Sequence, residues 1–464
     1  MLFEQTARFR TDMETTVFPA IFSSYPAMML STLHQLEQSQ WWSPERILTE
    51  QFRQLNNILC HAYDTIPFYQ SRLKDAGIDP HRGITMEQWR AIPFLRREDI
   101  LGKEERVLAT SFPKEHGART EARTSGSTGK PIRVYGTELT QFLWEVFGLR
   151  DHYWHKRDFG GKLVAIRFVK GDRGQYPEGI DMESWGRPAK LLYHTGTVAV
   201  LDIKRTDLSD QLEWLSRQNP EYFLTYPSNA LQLARLTLER GLRFPSLREL
   251  RLVGEVVDQE TRDICREAWH VPISDMYSAY EAGYLALQCQ EVGNYHIQSE
   301  NVHVEIMDEQ GQPCAPGETG KVVLTTLHNF AMPLIRYEIG DYAEVGEPCP
   351  CGRGLPVIRK ILGRATNMLH LPTGERYWPV SGWWELMDIA PIRQHQIIQQ
   401  DVNRIEARLV TERALTGREE NKMREVIWTN FGYKFHIDFS YHDRIERSAG
   451  GKFEEFISKC QVTG

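Results

Sequence analysis

The sequence predicts an α/β protein: a large N-terminal part with a parallel sheet and a β subdomain, then a small α+β C-terminal domain. Two textures predict it. From about residue 160, short apolar runs alternate with helical stretches: "KLVAIRFV", "EYFLTYP" then "SNALQLARLTLERG", "LRELRLVG" then "DQETRDICREAWH", then "VPISDMYS". Strands separated by helices are joined by crossovers, which make neighbouring strands parallel. After Gly293 two alternating strands, "NVHVEIMD" and "GKVVLTTL", flank the turn-rich "EQGQPCAPGETG", which predicts an antiparallel subdomain.

In chain order, Ser43, Pro44 and Glu45 supply an N-cap, a proline at the first helical position and an acid in the first turn. Leu48, Phe52, Leu55, Leu59 and Tyr63 then fall on one helical face. The ordered part is expected to begin with this helix. At the other end, "HQIIQQ", "RIEARLV", a helix near Glu419 to Phe431 and "KFHIDFSY" form the predicted α+β domain. "GRATN", Gly363 to Asn367, is the expected hinge, so that 1–363 and 368–464 are separate domains joined by 364–367.

With 464 residues, 41% of them hydrophobic and 25% charged, the chain is long enough for more than one core. A net charge of -7 gives no broad electrostatic reason to expect nucleic acid or an anionic membrane as partner. Met-Leu-Phe-Glu-Gln lacks a basic start, and the apolar patch from Phe18 to Leu33 is broken by Pro19, Pro26 and serines. Neither a signal peptide nor a membrane span is expected, and the location read from this is cytoplasmic.

Seven scattered cysteines do not suggest a disulfide framework. Cys289, His296, Cys349 and Cys351 instead offer three thiolates and one imidazole, the ligand types and number of a closed structural zinc site. Four protein ligands leave no open position, so the expected role is to staple the β subdomain.

"RTSGSTGKPIRV", residues 123–134, concentrates hydroxyls, two glycines and a lysine. It fails the Walker A template because Pro131 stands after Lys130, where Ser or Thr is needed. Proline removes a backbone donor and disfavours a following helix, while "IRVY" has strand character. The loop is therefore predicted to join two strands and to hold phosphate through backbone N–H groups and hydroxyls.

"TSGSTGKP" resembles the ATP-phosphate loop of adenylate-forming enzymes, the superfamily of acyl-CoA synthetases, luciferases and nonribosomal adenylation domains. Further motifs follow in that family's order. "LVGE", with Gly254 and Glu255, resembles the segment lining the adenine side. "MYSAYEAG", with Tyr277, Ser278 and Tyr280, is similar to the adenine-pocket segment that ends in a magnesium-associated glutamate, here Glu281. "RYEIGD" places Asp341 where the family binds the ribose hydroxyls, "LGRATN" places Arg364 in the hinge motif, and "SAGGKFEEF" places Lys452 at the C-terminal catalytic lysine.

"HAYDTIPFYQSRLKDAGI", "AMPLIRYEIGD" and "CPCGRGLPVIRKILGR" look like phenylacetate-CoA ligases and the related proteins of capsule loci, and the likeness runs from about residue 45 to the C-terminus. The resemblance implies an adenylation domain with a mobile C-terminal domain, ATP and Mg²⁺, a small carboxylic acid of aromatic type, and coenzyme A as acceptor. An amine acceptor and a nucleotide-binding protein without turnover are the alternatives, and a homodimer is the family-level expectation. Asn367 stands where the family usually has an aspartate pivot.

These residue types suit the reaction. Adenylation positions two anions and neutralises charge that builds on phosphoryl oxygens. Ser125, Ser127 and Thr128 offer hydroxyl donors, Gly126 and Gly129 allow close backbone approach, and Lys130 adds charge. Glu281 suits Mg²⁺ and Asp341 a vicinal diol. Lys452, a long cation on a mobile domain, would reach carboxylate and α-phosphate together. Tyr226, after a strand of the α/β region, is the expected stacking partner of an aromatic acid.

Overall fold

The computed structural model describes residues 6–123, 132–379, 386, 389–448 and 450–460. The expected phosphate loop, Ser125, Gly126, Ser127, Thr128, Gly129 and Lys130, lies outside the described residues.

Order begins earlier than the first predicted helix. α1 (Ser24–Ser39) precedes α2 (Pro44–Thr65). Pro26, read in the sequence as a breaker, sits in the first turn of α1, where a missing N–H has no intrahelical partner to lose. Met29, Leu33 and Leu36 then bury one face. In α2 the Ser43 hydroxyl accepts from the Arg46 N–H at 3.3 Å, as the capping pattern predicts. α3 (Pro67–Asp75), α4 (Met86–Ala91) and α5 (Arg97–Ile100) follow.

β1 (Arg119–Arg123) and β2 (Arg133–Thr137) pair antiparallel, so strands flank the phosphate-loop sequence on both sides, as Pro131 and "IRVY" predict. α6 (Glu138–Trp154) follows, capped by Thr137.

The α/β region is one six-stranded sheet of β3 (Leu163–Arg167), β4 (Ile180–Met182), β5 (Val198–Asp202), β6 (Tyr222–Thr225), β7 (Glu249–Leu252) and β8 (Ile273–Ser274), ordered β4-β5-β3-β6-β7-β8. All neighbours are parallel except the edge strand β4. α7 (Leu208–Gln218), α8 (Pro227–Glu239) and α9 (Gln259–Trp269) are its crossovers. β5 is buried throughout, which is why Val198 to Leu201 read as a continuous apolar run; β7, equally buried, alternates because Glu249 and Arg251 are held in ion pairs with Arg157 and Asp151.

The antiparallel sheet starts at Met276, not after Gly293. It contains β9 (Met276–Ala279), β10 (Gly283–Gln288), β11 (Tyr295–Ile297), β12 (Val302–Met307), β13 (Thr319–Thr326), β14 (Tyr337–Val345) and β15 (Val357–Arg364), ordered β12-β13-β14-β15-β11-β10-β9. Only Asp275 separates β8 from β9, so the chain passes between sheets inside "VPISDMYS", which reads as a single strand.

β15 ends at Arg364 and a single tight turn covers Ala365–Asn367. Beyond a short β16 (Leu369–His370) and β17 (Arg376–Tyr377) pair, β18 (Ile392–Asp401), β19 (Arg404–Thr411), β20 (His436–Tyr441) and β21 (Phe456–Ser458) form a sheet ordered β20-β19-β18-β21. α10 (Gly417–Phe431) buries Met423, Ile427 and Phe431 in a core shared with Ile397, Ile405 and Leu409. Among the described residues, no helix is long and apolar enough to cross a membrane.

Candidate active site

β6 and β7 end beside each other, and their exits carry Tyr226 and then Gly254 and Glu255. This is the carboxyl edge of the parallel sheet, where α/β folds leave a crevice for ligands. Residues 444–448 and 450–453 lie against it. Gly254 has φ +85°, and a Cβ there would stand 3.3 Å from both Lys452 Cε and a Tyr226 ring carbon. Gly451, at φ +83°, would press a Cβ to 2.8 Å from Phe168, so only glycine fits the loop against this edge.

The docking is polar and runs through the loop's backbone. The Tyr226 hydroxyl donates to the Gly450 carbonyl at 2.9 Å. Phe453 N–H donates to Glu255 Oε1 at 2.6 Å, and Ser228 N–H donates to Glu255 Oε2 at 2.9 Å. Burial pushes the Glu255 carboxyl above the ordinary glutamate range, against the pull of Arg447 and these two N–H donors.

Lys452 is thereby brought into the interior. Burial lowers its pKa from the usual lysine range, Arg364 lowers it further, and Glu255, Asp341 and Glu454 work the other way. Among the described residues its ammonium makes no hydrogen bond or ion pair. Among the described residues the ammonium thus feels the carboxylates of Glu255, Asp341 and Glu454 but is directly paired with none of them.

Asp341 and Arg364 are close enough to act on the charge of Lys452. Asp341 and Arg364 face each other across β14 and β15, with Arg364 Nε 3.6 Å from Asp341 Oδ1, and the Tyr277 hydroxyl donates to Asp341 Oδ2 at 2.7 Å. Glu281 lies in the tip of the β9–β10 hairpin. Burial pushes its carboxyl up, Arg364 and Arg97 pull it down, and Asp341 adds to the rise. Ser278 is exposed on β9, and Tyr280 is 62% exposed with its ring near-parallel to Trp144 of α6, centroids 6.5 Å apart.

The sequence motifs missed Arg447, which donates to Ser228 Oγ at 3.1 Å and to the Gly451 carbonyl at 3.2 Å. A basic residue five positions before Lys452 was the available signal. Trp144 carried none, because its partner Tyr280 comes from the distant β9–β10 turn.

The second cluster is the Cys/His set. One ligand atom each from Cys289, His296, Cys349 and Cys351 lies within 4.8 Å of the others. Cys349 and Cys289 sulfurs are 3.9 Å apart, and Cys351 Sγ is 3.3 Å from His296 Nε2. A tetrahedron with Zn–S bonds of about 2.3 Å has edges of about 3.8 Å, so the donor set fits zinc in type, number and spacing. Arg353 donates to Cys351 Sγ at 3.5 Å and to Gln40 Oε1 at 2.9 Å, which ties the cluster to the end of α1. Glu281 and Cys289 lie at opposite ends of β10, roughly 25 Å apart at strand spacing, so the cluster takes no direct part in chemistry at Glu281.

The sequence profile of the CapK C-terminal domain family matches residues 385–459. The phenylacetate-coenzyme A ligase of Thermus thermophilus is 28% identical over 339 residues, spanning 70% of this chain and 72% of that protein. Protein CapK of Staphylococcus aureus is 21% identical over 393 residues, spanning 83% of each. Among solved structures, 2-hydroxyisobutyryl-CoA ligase in the postadenylation state, in complex with R3-HIB-AMP, superposes with TM-score 0.68 at 18% identity, covering 91% of this chain and 92% of that one. The same ligase in the thioesterification state gives 0.57 at 19% identity, with the same coverage. The chain is thus similar in sequence to the phenylacetate-coenzyme A ligases and to protein CapK, matches the CapK C-terminal domain profile, and shares the fold of 2-hydroxyisobutyryl-CoA ligase.

Proposed function

We propose that the protein is an ATP-dependent carboxylate ligase: it joins an acid to AMP with release of pyrophosphate, then passes the acyl group to coenzyme A. The observation that carries this reading is Lys452, a half-buried ammonium that makes no hydrogen bond or ion pair among the described residues and lies within the fields of Asp341 and Arg364. An isolated cation in a desolvated site is worth its cost where an anion arrives to meet it. The acid's carboxylate and the α-phosphate of ATP are two such anions. Asp341, oriented by Tyr277, would accept from the ribose hydroxyls. Ser125 to Lys130, with Gly126, Ser127, Thr128 and Gly129 between them, would hold the leaving pyrophosphate.

Glu281 would hold Mg²⁺, which supplies charge neutralisation at phosphate. Burial raises this carboxyl's pKa, and an adjacent cation would restore the carboxylate. Zn²⁺ in the Cys289, His296, Cys349 and Cys351 set would be structural. Trp144 and Tyr280, exposed and near-parallel beside Glu281, support a planar aromatic acid, with Tyr226 deeper in the crevice. Residues 364–367 would be the hinge between domains 1–363 and 368–464. There the Asn367 side-chain amide donates to the Phe456 carbonyl at 2.7 Å, so an asparagine can anchor this turn.

Acid-dependent pyrophosphate release, screened over aryl and aliphatic acids, tests the first step. Running it with coenzyme A, hydroxylamine and amino acids tests the acceptor. No release with any acid would leave a nucleotide-binding protein without turnover. Release followed by amide rather than thioester would select the amine acceptor. Metal analysis of the purified protein should find one zinc per chain, and Cys289→Ser should lose it.

A further inference from the structure

We propose that Glu255 is a positioning residue: its carboxylate latches the loop that carries Lys452 to the N-terminus of α8, setting where the lysine stands during adenylation. The inference rests on the reading of Lys452 given above.

The geometry begins with α8. Its first residue is Pro227, which has no N–H, and Tyr226 at the N-cap offers no side-chain cap. Ser228 therefore carries the first N–H that needs an acceptor. Glu255, arriving from the end of β7, supplies it with Oε2 at 2.9 Å. A carboxylate is the favoured cap because the helix dipole is positive at this end. The other oxygen, Oε1, accepts from Phe453 N–H at 2.6 Å, and Phe453 is the residue after Lys452.

Two neighbours complete the latch. The Tyr226 hydroxyl donates to the Gly450 carbonyl, and Arg447 donates to Ser228 Oγ and the Gly451 carbonyl while lying 3.9 Å from Glu255 Oε1. The backbone is thus gripped at Gly450 and Gly451 on one side of Lys452 and at Phe453 on the other, while the lysine ammonium makes no hydrogen bond or ion pair among the described residues. Both Glu255 oxygens accept from backbone N–H groups, which assigns this residue to the loop rather than to the base of ATP. When the loop departs, Glu255 keeps its hydrogen bond to Ser228 and gives up the one to Phe453. The latch is reversible because the carboxylate is never left bare.

Glu255→Gln, Glu255→Ala and Tyr226→Phe, each in the full chain, test this with the acid of highest kcat/KM in the pyrophosphate screen. The two half-reactions are measured separately: pyrophosphate release, and thioester formation from supplied acyl-adenylate. Glu255→Ala should lower the adenylation kcat by 10- to 100-fold, Glu255→Gln by less, since its one carbonyl keeps one N–H, and Tyr226→Phe by a few fold. The KM for ATP and the thioester half-reaction should stay within twofold. Hydrogen exchange of the 450–455 segment should quicken in all three variants without change in β3 or β6.

A raised KM for ATP with kcat preserved would place Glu255 at the base of ATP and overturn the latch. Equal loss in both half-reactions would make it a stability residue and overturn the latch as well. Lys452→Ala separates the two layers. If it adenylates normally, the function of Lys452 fails and the latch falls with it. If it is slow while Glu255→Ala and Tyr226→Phe are normal, only the latch fails. Should Glu255→Ala not fold, Tyr226→Phe alone decides.

Discussion

Arg157 and Lys452 lie against opposite ends of the same parallel sheet, Lys452 on a loop of the C-terminal part that touches its carboxyl edge. Arg157 sits near the start of β7, where Nε and Nη2 donate to the two oxygens of Glu249 at 2.8 Å, Nη1 donates to Asp151, and Nη2 also reaches Ser274 Oγ at 3.0 Å. Burial opposes its charge, but Asp151 and Glu249 overturn that, so its pKa rises. Lys452, at the carboxyl edge, has its pKa lowered by burial and by Arg364, with no hydrogen-bonded or ion-paired partner among the described residues. A cation that belongs to the fold is surrounded by counter-charge; the half-buried Lys452, proposed to meet a ligand, has none directly paired with it among the described residues.

The largest expected effect breaks the paired side. Arg157→Ala leaves Asp151 and Glu249 buried without their main cation and should cost about 3–5 kcal/mol of stability, read as a lowered denaturation midpoint. Lys452→Ala, on the open side, should slow acid-dependent pyrophosphate release by roughly 10²- to 10³-fold and leave that midpoint within error. A large stability loss there would show that Lys452 is structural after all.

His395 sharpens the contrast through pH. Burial, with Arg235 adding to it, holds its imidazole at about 4, below the usual 6.5. The unfolded chain then binds the proton more readily, so this contribution is present above pH 6.5 and is lost as pH falls from 6.5 to about 4. The full loss is about 3 kcal/mol. Denaturation midpoints between pH 7 and 4.5 should show that slope, and His395→Gln should flatten it. Arg53→Ala removes an exposed pair with Glu50 and should change stability by less than about 0.5 kcal/mol. A cost as large as that of Arg157→Ala would mean that burial is not what separates the pairs.

Much of the site was legible because its residues travel in short motifs. "SAGGKFEEF" and "LVGE" each announce themselves locally. Their meeting does not: nothing in either motif announces that Glu255 accepts from both Ser228 N–H and Phe453 N–H. The same holds for the fold. The crossover strands are plain in the alternation of apolar runs and helices, whereas the exchange of sheets at Asp275 is hidden because β8 and β9 are separated by one residue. α1 was hidden by a proline that a helix tolerates only in its first turn.

By itself the sequence determined the α/β class, the N-cap of α2 and the strands on both sides of "TSGSTGKP", and it singled out Lys452, Glu281, Asp341 and the Cys/His set as candidates. These are written in periodicity and in residue types, which are local. Only the tertiary structure decided which charges are paired and which stand open. It also brought the four sulfur and nitrogen donors within 4.8 Å of one another, and a carboxylate from one strand end to both a helix N-terminus and a loop almost two hundred residues away. Pairing and desolvation depend on distance in space, and spacing along the chain carries no record of it.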